Sequence, residues 1–439
     1  MWRAGVGRRN ITPGESIWLD GYAIRDAPSN GVAMDIFVKV IVIEDRDGHK
    51  AVWVTSDLLG FGRTMSERIA ARVCDVQGIE RSQFLLNASH NHSCPVVEDV
   101  LPLYHDLSER DMGVIARYST QLEQHIHDAI DEAMGDLAPA ALAFGQGLAG
   151  IAVNRRRARP NGRSLTTLTD PDVPVLTVRS SQGDLRAIVF GYAAHPVTAL
   201  DAAVSGDYPG HAQAELETMF PGATAMFVAG CGADANAEPR LRPKGKLAEA
   251  YGHILAHAVD AVIEGTMQPV RGPLRTAWTP LTVHLQSPPH REQLETMLAK
   301  AVSFERRMVQ YQLDKLARGE PLATEAVYPV HVWRFGDDLT FIGLTGETVC
   351  DFALRMKQAY GADATWVSGY NNELIAYVPS RRVLEEGGYE GRTGMLEYGH
   401  AAPFTSAIEE TICAGVDALV EQTGGAAVMD RFIIALNKD

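Results

Sequence analysis

Along most of this chain, short and nearly continuous apolar runs of strand length alternate with amphipathic runs of helical length, which restricts the fold to the α/β class. Phe37–Glu44 (FVKVIVIE) and residues 51–55 (AVWVT) read as two strands joined at Asp45-Arg46-Asp47-Gly48, followed by a helix over 65–76 and a strand over 83–88. In 110–134, Val114, Tyr118, Leu122, Ile126 and Ile130 recur every fourth position and define one buried stripe of a helix. Beyond it the pattern predicts a strand near Ala141, strands over 175–179 and 185–192, a helix over 211–219, a strand over 224–229 and a helix over 247–264. Strands within 274–285, one long charged helix over 290–317, a hairpin (330–335 and 339–344, turning at Gly336-Asp337-Asp338), a strand over 365–368 and a closing helix over 406–422 complete it. With no internal repeat, the expectation is a single domain, 1–439, of mixed β-sheets flanked by helices; the Arg-, Asn-, Gly- and Thr-rich segment 155–172 is its loosest part.

Several of these strands run directly into loops that open with reactive side chains. Residues 83–88 lead to Ser89-His90-Asn91-His92-Ser93, 185–192 to Ala193-Ala194-His195-Pro196, 224–229 to Gly230-Cys231-Gly232-Ala233-Asp234-Ala235-Asn236, and 339–344 to Thr345-Gly346-Glu347-Thr348. Ligands of α/β sheets bind outside the carboxyl ends of strands, so these loops are candidates to meet. His90-x-His92 at a strand end would present two imidazoles to one side. It suits zinc ligation and, equally, a hydrogen-bonded polar loop. Taken singly, His195 reads more readily as a turn residue before proline, and Glu347 either as a ligand or as a charge at a helix N-terminus.

Composition narrows the class. The formal net charge of −15 argues against a general nucleic-acid binder or a protein held on an anionic membrane. Five scattered cysteines without a Cys-x-x-Cys pair form neither a disulfide framework nor a zinc ribbon. No apolar leader opens the sequence, and no run approaches about 18 uncharged apolar residues. The expectation is a cytoplasmic protein without a membrane anchor, and a homo-oligomer is compatible with it.

Taken in order, Gly21-Tyr22, the SHNHSCP segment 89–95, Asn154-Arg155, Ala194-His195-Pro196, the 230–236 loop, Gly346-Glu347, Tyr377 and Tyr389-Glu390-Gly391 resemble the neutral/alkaline non-lysosomal ceramidase family. The resemblance runs collinearly from near residue 20 to near 391. It implies a catalytic-domain-type fold and one Zn2+ per chain held by His90, His195, Glu347 and Tyr377. It further implies His92 and Arg155 beside the metal, Tyr389 aimed at the developing oxyanion, and Gly21, Arg155 and Asn236 lining the substrate. Zinc lowers the pKa of water from ~15.7 to about 7, and the implied reaction is hydrolysis of an amide (N-acyl) bond. Two departures stand out. Gly-Ala-Asp-Ala-Asn-Ala at 232–237 replaces the family's Gly-Asp-x-Ser-Pro-Asn, and Ser93-Cys94-Pro95-Val96 replaces its Gly-Pro-Gly-Gly. The chain reads as a compact member without the family's signal peptide and C-terminal β-sandwich, which favours a small soluble substrate.

Other residues carry weaker signals. Asp207 fits a partner of an imidazole or a helix cap, and Asp57 is as ambiguous. Cys94 and Cys231 flank the loops; His253 and His257, and His125 and His127, read as surface residues on helices. Arg155–Arg159 is a solvated basic run or, through Arg155, a clamp for an anionic group. The rival readings are a binuclear amidohydrolase-like barrel, a metallo-β-lactamase-like esterase or lactonase, and a non-catalytic binding protein on the same scaffold.

Overall fold

The computed structural model describes residues 1–156, 168–199, 201–239 and 246–428. Among the described residues, seventeen strands occur in chain order: β1 Trp2–Asn10, β2 Phe37–Glu44, β3 Lys50–Ser56, β4 Phe84–Ala88, β5 Ala138–Leu148, β6 Ala152–Asn154, β7 Asp172–Ser180, β8 Leu185–Tyr192, β9 Thr224–Ala229, β10 Ala235–Ala237, β11 Gln268–Val270, β12 Leu274–His284, β13 Glu325–Phe335, β14 Leu339–Thr345, β15 Glu347–Thr348, β16 Thr365–Asn371 and β17 Tyr377–Val378. The α-helices are α1 Arg63–Gln77, α2 Glu109–Gly135, α3 Asp207–Met219, α4 Lys246–Glu264, α5 Arg291–Lys300, α6 Ser303–Ala317, α7 Cys350–Tyr360, α8 Arg381–Glu386, α9 Gly388–Gly391 and α10 Ile408–Gln422.

Thirteen strands form one mixed sheet, in the order β12-β13-β14-β16-β4-β3-β2-β1-β5-β7-β8-β9, with β11 paired to β5. This order excludes a parallel barrel. The alternation of side chains along each strand explains the long apolar runs, because both faces are buried. In β2, Val38, Val40 and Val42 pack under α1 and α2, whereas Ile41 and Ile43 join the opposite face. In β8, Ile188 and Phe190 meet α3 and α4 while Val189 turns to that same opposite face. In β13, Val330 and Val332 lie under α7 and α10, and Trp333 and Phe335 turn away from them. The shared face is aromatic: Trp53 lies 4.4 Å from Phe341, 5.3 Å from Trp366 and 5.6 Å from Trp333, centroid to centroid. A bridge between Gly230 and Ser368 joins the end of β9 to β16.

The pairs β3/β4, β8/β9 and β14/β16 are each parallel within themselves, β16 meets β4 antiparallel, and the reactive loops follow the carboxyl ends of β4, β8, β9 and β14. Two expectations need correction, and one strand went without a sequence signal. The opening strand β1 lacked a signal in the sequence reading, since Arg3, Arg8 and Arg9 interrupt its apolar pattern; Arg3 and Arg9 reach Glu44 and Glu132 instead. The charged stretch 290–317 is two helices, broken at Ala301-Val302, where Ser303 takes φ +47°. His127 is buried on α2, near Arg72 of α1, whereas His253 and His257 do lie at the surface. Most of the 155–172 segment, including Arg157 and Arg159, lies outside the described residues.

Candidate metal centre

Strand β4 ends at Ala88, and His90 follows in a left-handed conformation (φ +60°). The two histidines of His90-x-His92 therefore do not share a strand face. A turn brings them together, with ring planes at 82° and centroids 4.9 Å apart. His195 enters from the end of β8, fixed by its backbone N–H on Ala235 and a bridge to Asn236. Glu347 and Tyr377, thirty positions apart, are facing partners of the two-residue parallel ladder β15/β17.

Three imidazoles, His90, His92 and His195, present ring nitrogens within 4.8 Å of one another, all buried. Two of them are oriented alike: Nδ1 of His90 lies 3.0 Å from the Leu59 carbonyl, and Nδ1 of His195 lies 2.9 Å from that of Gly232. A carbonyl only accepts, so each Nδ1 is the N–H and, in the neutral ring, each Nε2 is a lone pair. Both Nε2 atoms point at the same oxygen, Oε2 of Glu347, at 3.1 Å from His90 and 3.0 Å from His195. Burial and the Arg155 cation hold His195 at about 4, hence neutral near pH 7. Lone pairs facing a carboxylate in a buried site require a positive centre between them. The donor set of two imidazoles and a carboxylate fits zinc.

His92 differs. Neither of its ring nitrogens has a hydrogen-bond partner among the described residues, and burial holds the ring well below its usual 6.5. It sits against Gly21, where a Cβ would fall 2.5 Å from the imidazole and where φ is +85°. Glycine is needed at 21 for both reasons. The Asn236 amide is wholly buried, and among the described residues neither of its polar atoms has a partner, the signature of a group waiting for a ligand or water.

Arg155 does not lie in a solvated run. Its Nε donates to Glu390 at 2.6 Å, and its guanidinium lies 5.7 and 5.6 Å from the ring centroids of Tyr377 and Tyr389. Burial opposes its charge, but Tyr377 and Glu390 more than restore it, so it remains a cation. Arg156 holds the other oxygen of Glu390 at 2.6 Å. Tyr377 is buried beside the centre, and its phenol receives an N–H of Arg155 at 3.4 Å. The phenol that touches Glu347 is that of Tyr398, on Oε1. Tyr389 sends its proton to Glu397 at 2.6 Å.

The remaining candidates resolve into supports. Asp207 accepts from the backbone of Thr198 and Ala199 and from the Thr198 hydroxyl, pinning the loop after His195 without touching the ring. Asp57 accepts from Phe37 and Gln213. Cys94 bonds the Asn91 carbonyl, and Cys231 is buried among apolar side chains. Asp234, standing in the loop that differs from the family pattern, accepts from Asn154 and from the backbone of Cys350. The sequence reading passed over Tyr398, Glu397 and Tyr370, whose ring stacks on His90 at 4.4 Å. Glu397 and Tyr398 lie in a 3-10 turn without regular periodicity, and Tyr370 sits near the end of β16 at φ +57°, so only the fold delivers them.

The fold and this centre together define a mixed α/β protein with a buried imidazole–carboxylate site at the carboxyl ends of its parallel strands. The family model for the neutral/alkaline non-lysosomal ceramidase N-terminal region matches residues 2–239, and the chain belongs to that family. The structure resembles a neutral ceramidase from Pseudomonas aeruginosa, with TM-score 0.75 and 19% identity over 97% of this chain and 75% of that one. A ceramidase solved in complex with C2 gives TM-score 0.75 at 17% identity, over 97% and 76% of the two chains. A neutral ceramidase of Drosophila melanogaster is 28% identical over 99 residues, which is 21% of this chain and only 14% of that protein's length.

Proposed function

We propose that the protein is a zinc-dependent hydrolase that cleaves the amide (N-acyl) bond of a small substrate. The observation that carries this reading is the confrontation of two imidazole lone pairs with the Glu347 carboxylate. His90, His195 and Glu347 would hold the ion, with Tyr377 at its side. A zinc ion bound there would supply a Lewis acid and water activated at neutral pH.

The chain's own residues would do the rest. Arg155, an obligate cation fixed by Glu390 and flanked by two aromatic rings, would offset the charge developing on the carbonyl oxygen. His92, close to both ligand imidazoles and without a partner of its own, would carry a proton to the departing nitrogen. Gly21 leaves the space His92 occupies, and the Asn236 amide would bind the substrate or an ordered water. Among the described residues no helix is long and apolar enough to cross a membrane.

The test is a hydrolysis screen of N-acyl amino acids, simple amides, lactones and short-chain ceramides. Cleavage of amides that is lost on chelation and restored by zinc supports the reading. Cleavage of lactones alone, or indifference to the chelator, contradicts it. Turnover confined to the ceramides would place the substrate among lipids.

A further inference from the structure

Between α1 and the paired strands β12 and β13 lies a cavity of about 390 Å³, a size at the small end of the ~300–1,000 Å³ usual for small-molecule sites. Ala70, Ala71, Trp278 and Val327 give it a largely apolar wall, and Arg81 lines it from the 3-10 turn between α1 and β4. Nη1 of Arg81 donates to the Phe84 carbonyl at 2.7 Å and lies 3.2 Å from Nε2 of His331, and Nη2 donates to Oδ1 of Asn372 at 3.0 Å. These contacts leave the Nε–H and one N–H of Nη2 without a hydrogen-bond partner among the described residues. No carboxylate among those residues pairs with the guanidinium, whose carbon lies 5.3 Å from the centroid of the Trp278 ring. Burial lowers Arg81 to about 10, so it is still a cation near pH 7. A partly buried cation bonded only to neutral groups is short of a counter-charge. The Trp278 indole N–H is also buried without a partner among the described residues.

The lining holds negative charge as well, from Glu67 on α1 and from Glu373. Arg63 compensates Glu373 at 2.8 Å, whereas Glu67 is exposed and has no ion pair among the described residues. A plain anion would satisfy Arg81 and be repelled by Glu67, and a plain cation would meet the reverse. A molecule that carries both charges a few bonds apart, on an apolar body, answers every part of the wall.

We propose that this cavity is a second ligand site, which takes a free α-amino acid with an apolar side chain. The carboxylate pairs with the unoccupied N–H groups of Arg81, the ammonium turns to Glu67, and the side chain packs on Trp278, Ala70 and Val327. The assignment is independent of the amide-hydrolase reading.

The experiment is calorimetric titration of the full chain at pH 7.5 with L-phenylalanine, 3-phenylpropionate and 2-phenylethylamine. L-Phenylalanine should bind once per chain with Kd between about 10 μM and 1 mM, and each singly charged analogue at least about tenfold more weakly. Arg81→Lys keeps the charge and loses the planar fork, so Kd should rise at least about tenfold. Glu67→Gln should raise it about 3- to 10-fold. Because Arg81 also supports Phe84 and Asn372, Ala71→Trp serves as a second variant: it fills the cavity from an exposed helical position, leaves those hydrogen bonds in place and should abolish binding. A chelator should leave Kd unchanged, since the ligand does not coordinate the ion of the metal centre. No saturable binding of L-phenylalanine or of L-leucine up to ~10 mM overturns the proposal. So does equal affinity for either singly charged analogue, binding that survives Arg81→Lys or Ala71→Trp undiminished, or binding lost on chelation.

Discussion

Among the described residues, two places bring together three metal-type side chains, and a count of donors cannot tell them apart. One is His90, His92 and His195; the other is Asp234, Cys350 and Asp351, where α7 begins. The difference lies in where the protons are. At the second cluster, Asp234 accepts from the Cys350 backbone N–H at 3.0 Å and the Asn154 amide at 2.7 Å, and Arg382 grips both oxygens of Asp351. Burial, then Asp234 and Asp351, push the Cys350 thiol far above its usual range, so it stays protonated. Every acceptor there has found a hydrogen. At the first cluster, the carbonyls of Leu59 and Gly232 take the Nδ1 protons and leave two lone pairs facing a carboxylate. Proton accounting, rather than the residue census, separates a fastening from a candidate ion site.

The largest expected effect follows from emptying the first cluster. His195→Ala should reduce amide hydrolysis by at least about 1,000-fold, the loss of a ligand being the loss of the ion's chemistry. Residual activity within tenfold of wild type would place the ion elsewhere.

Asp234→Ala sharpens the contrast from the other side. It strips the acceptor from two buried donors and should cost about 2–4 kcal/mol in denaturant unfolding, with zinc content unchanged. Loss of the metal in that variant would erase the distinction between the clusters.

A smaller effect is expected at Gly21→Ala. The added methyl meets the His92 ring at 2.5 Å and strains a backbone at φ +85°. Activity should fall about 100-fold through misplacement of His92, while metal content holds because His90 and His195 are untouched. Parallel loss of zinc would make His92 a ligand.

The smallest belongs to Arg382→Ala, whose partly exposed pairing with Asp351 should be worth no more than about 1 kcal/mol. Thermal unfolding would detect anything larger.

The fold class was legible because both sheet faces are buried, which writes strands such as FVKVIVIE and TAMFVA as continuous apolar runs. Their carboxyl ends could be located, and so could His90, His195 and Glu347. What stayed hidden depended on register and tertiary contact. The β15/β17 ladder joins Glu347 to Tyr377, and no local pattern encodes a two-residue strand. The burial of Arg155 by Glu390 could not be read from a basic run that looks solvated. Tyr398 and Glu397 sit in a 3-10 turn, where neither a 3.6- nor a 2-residue period applies. The rings of His90-x-His92 converge through a left-handed residue and not through strand alternation, which the sequence pattern does not encode.

The most direct measurement is elemental analysis of the purified chain after equilibration with zinc and removal of excess, with Glu347→Gln treated alongside. Near one zinc per wild-type chain, and less than a tenth in the variant, is the predicted result. No zinc in the wild type, two per chain, or equal amounts in both proteins would contradict a single ion held between two imidazoles and that carboxylate.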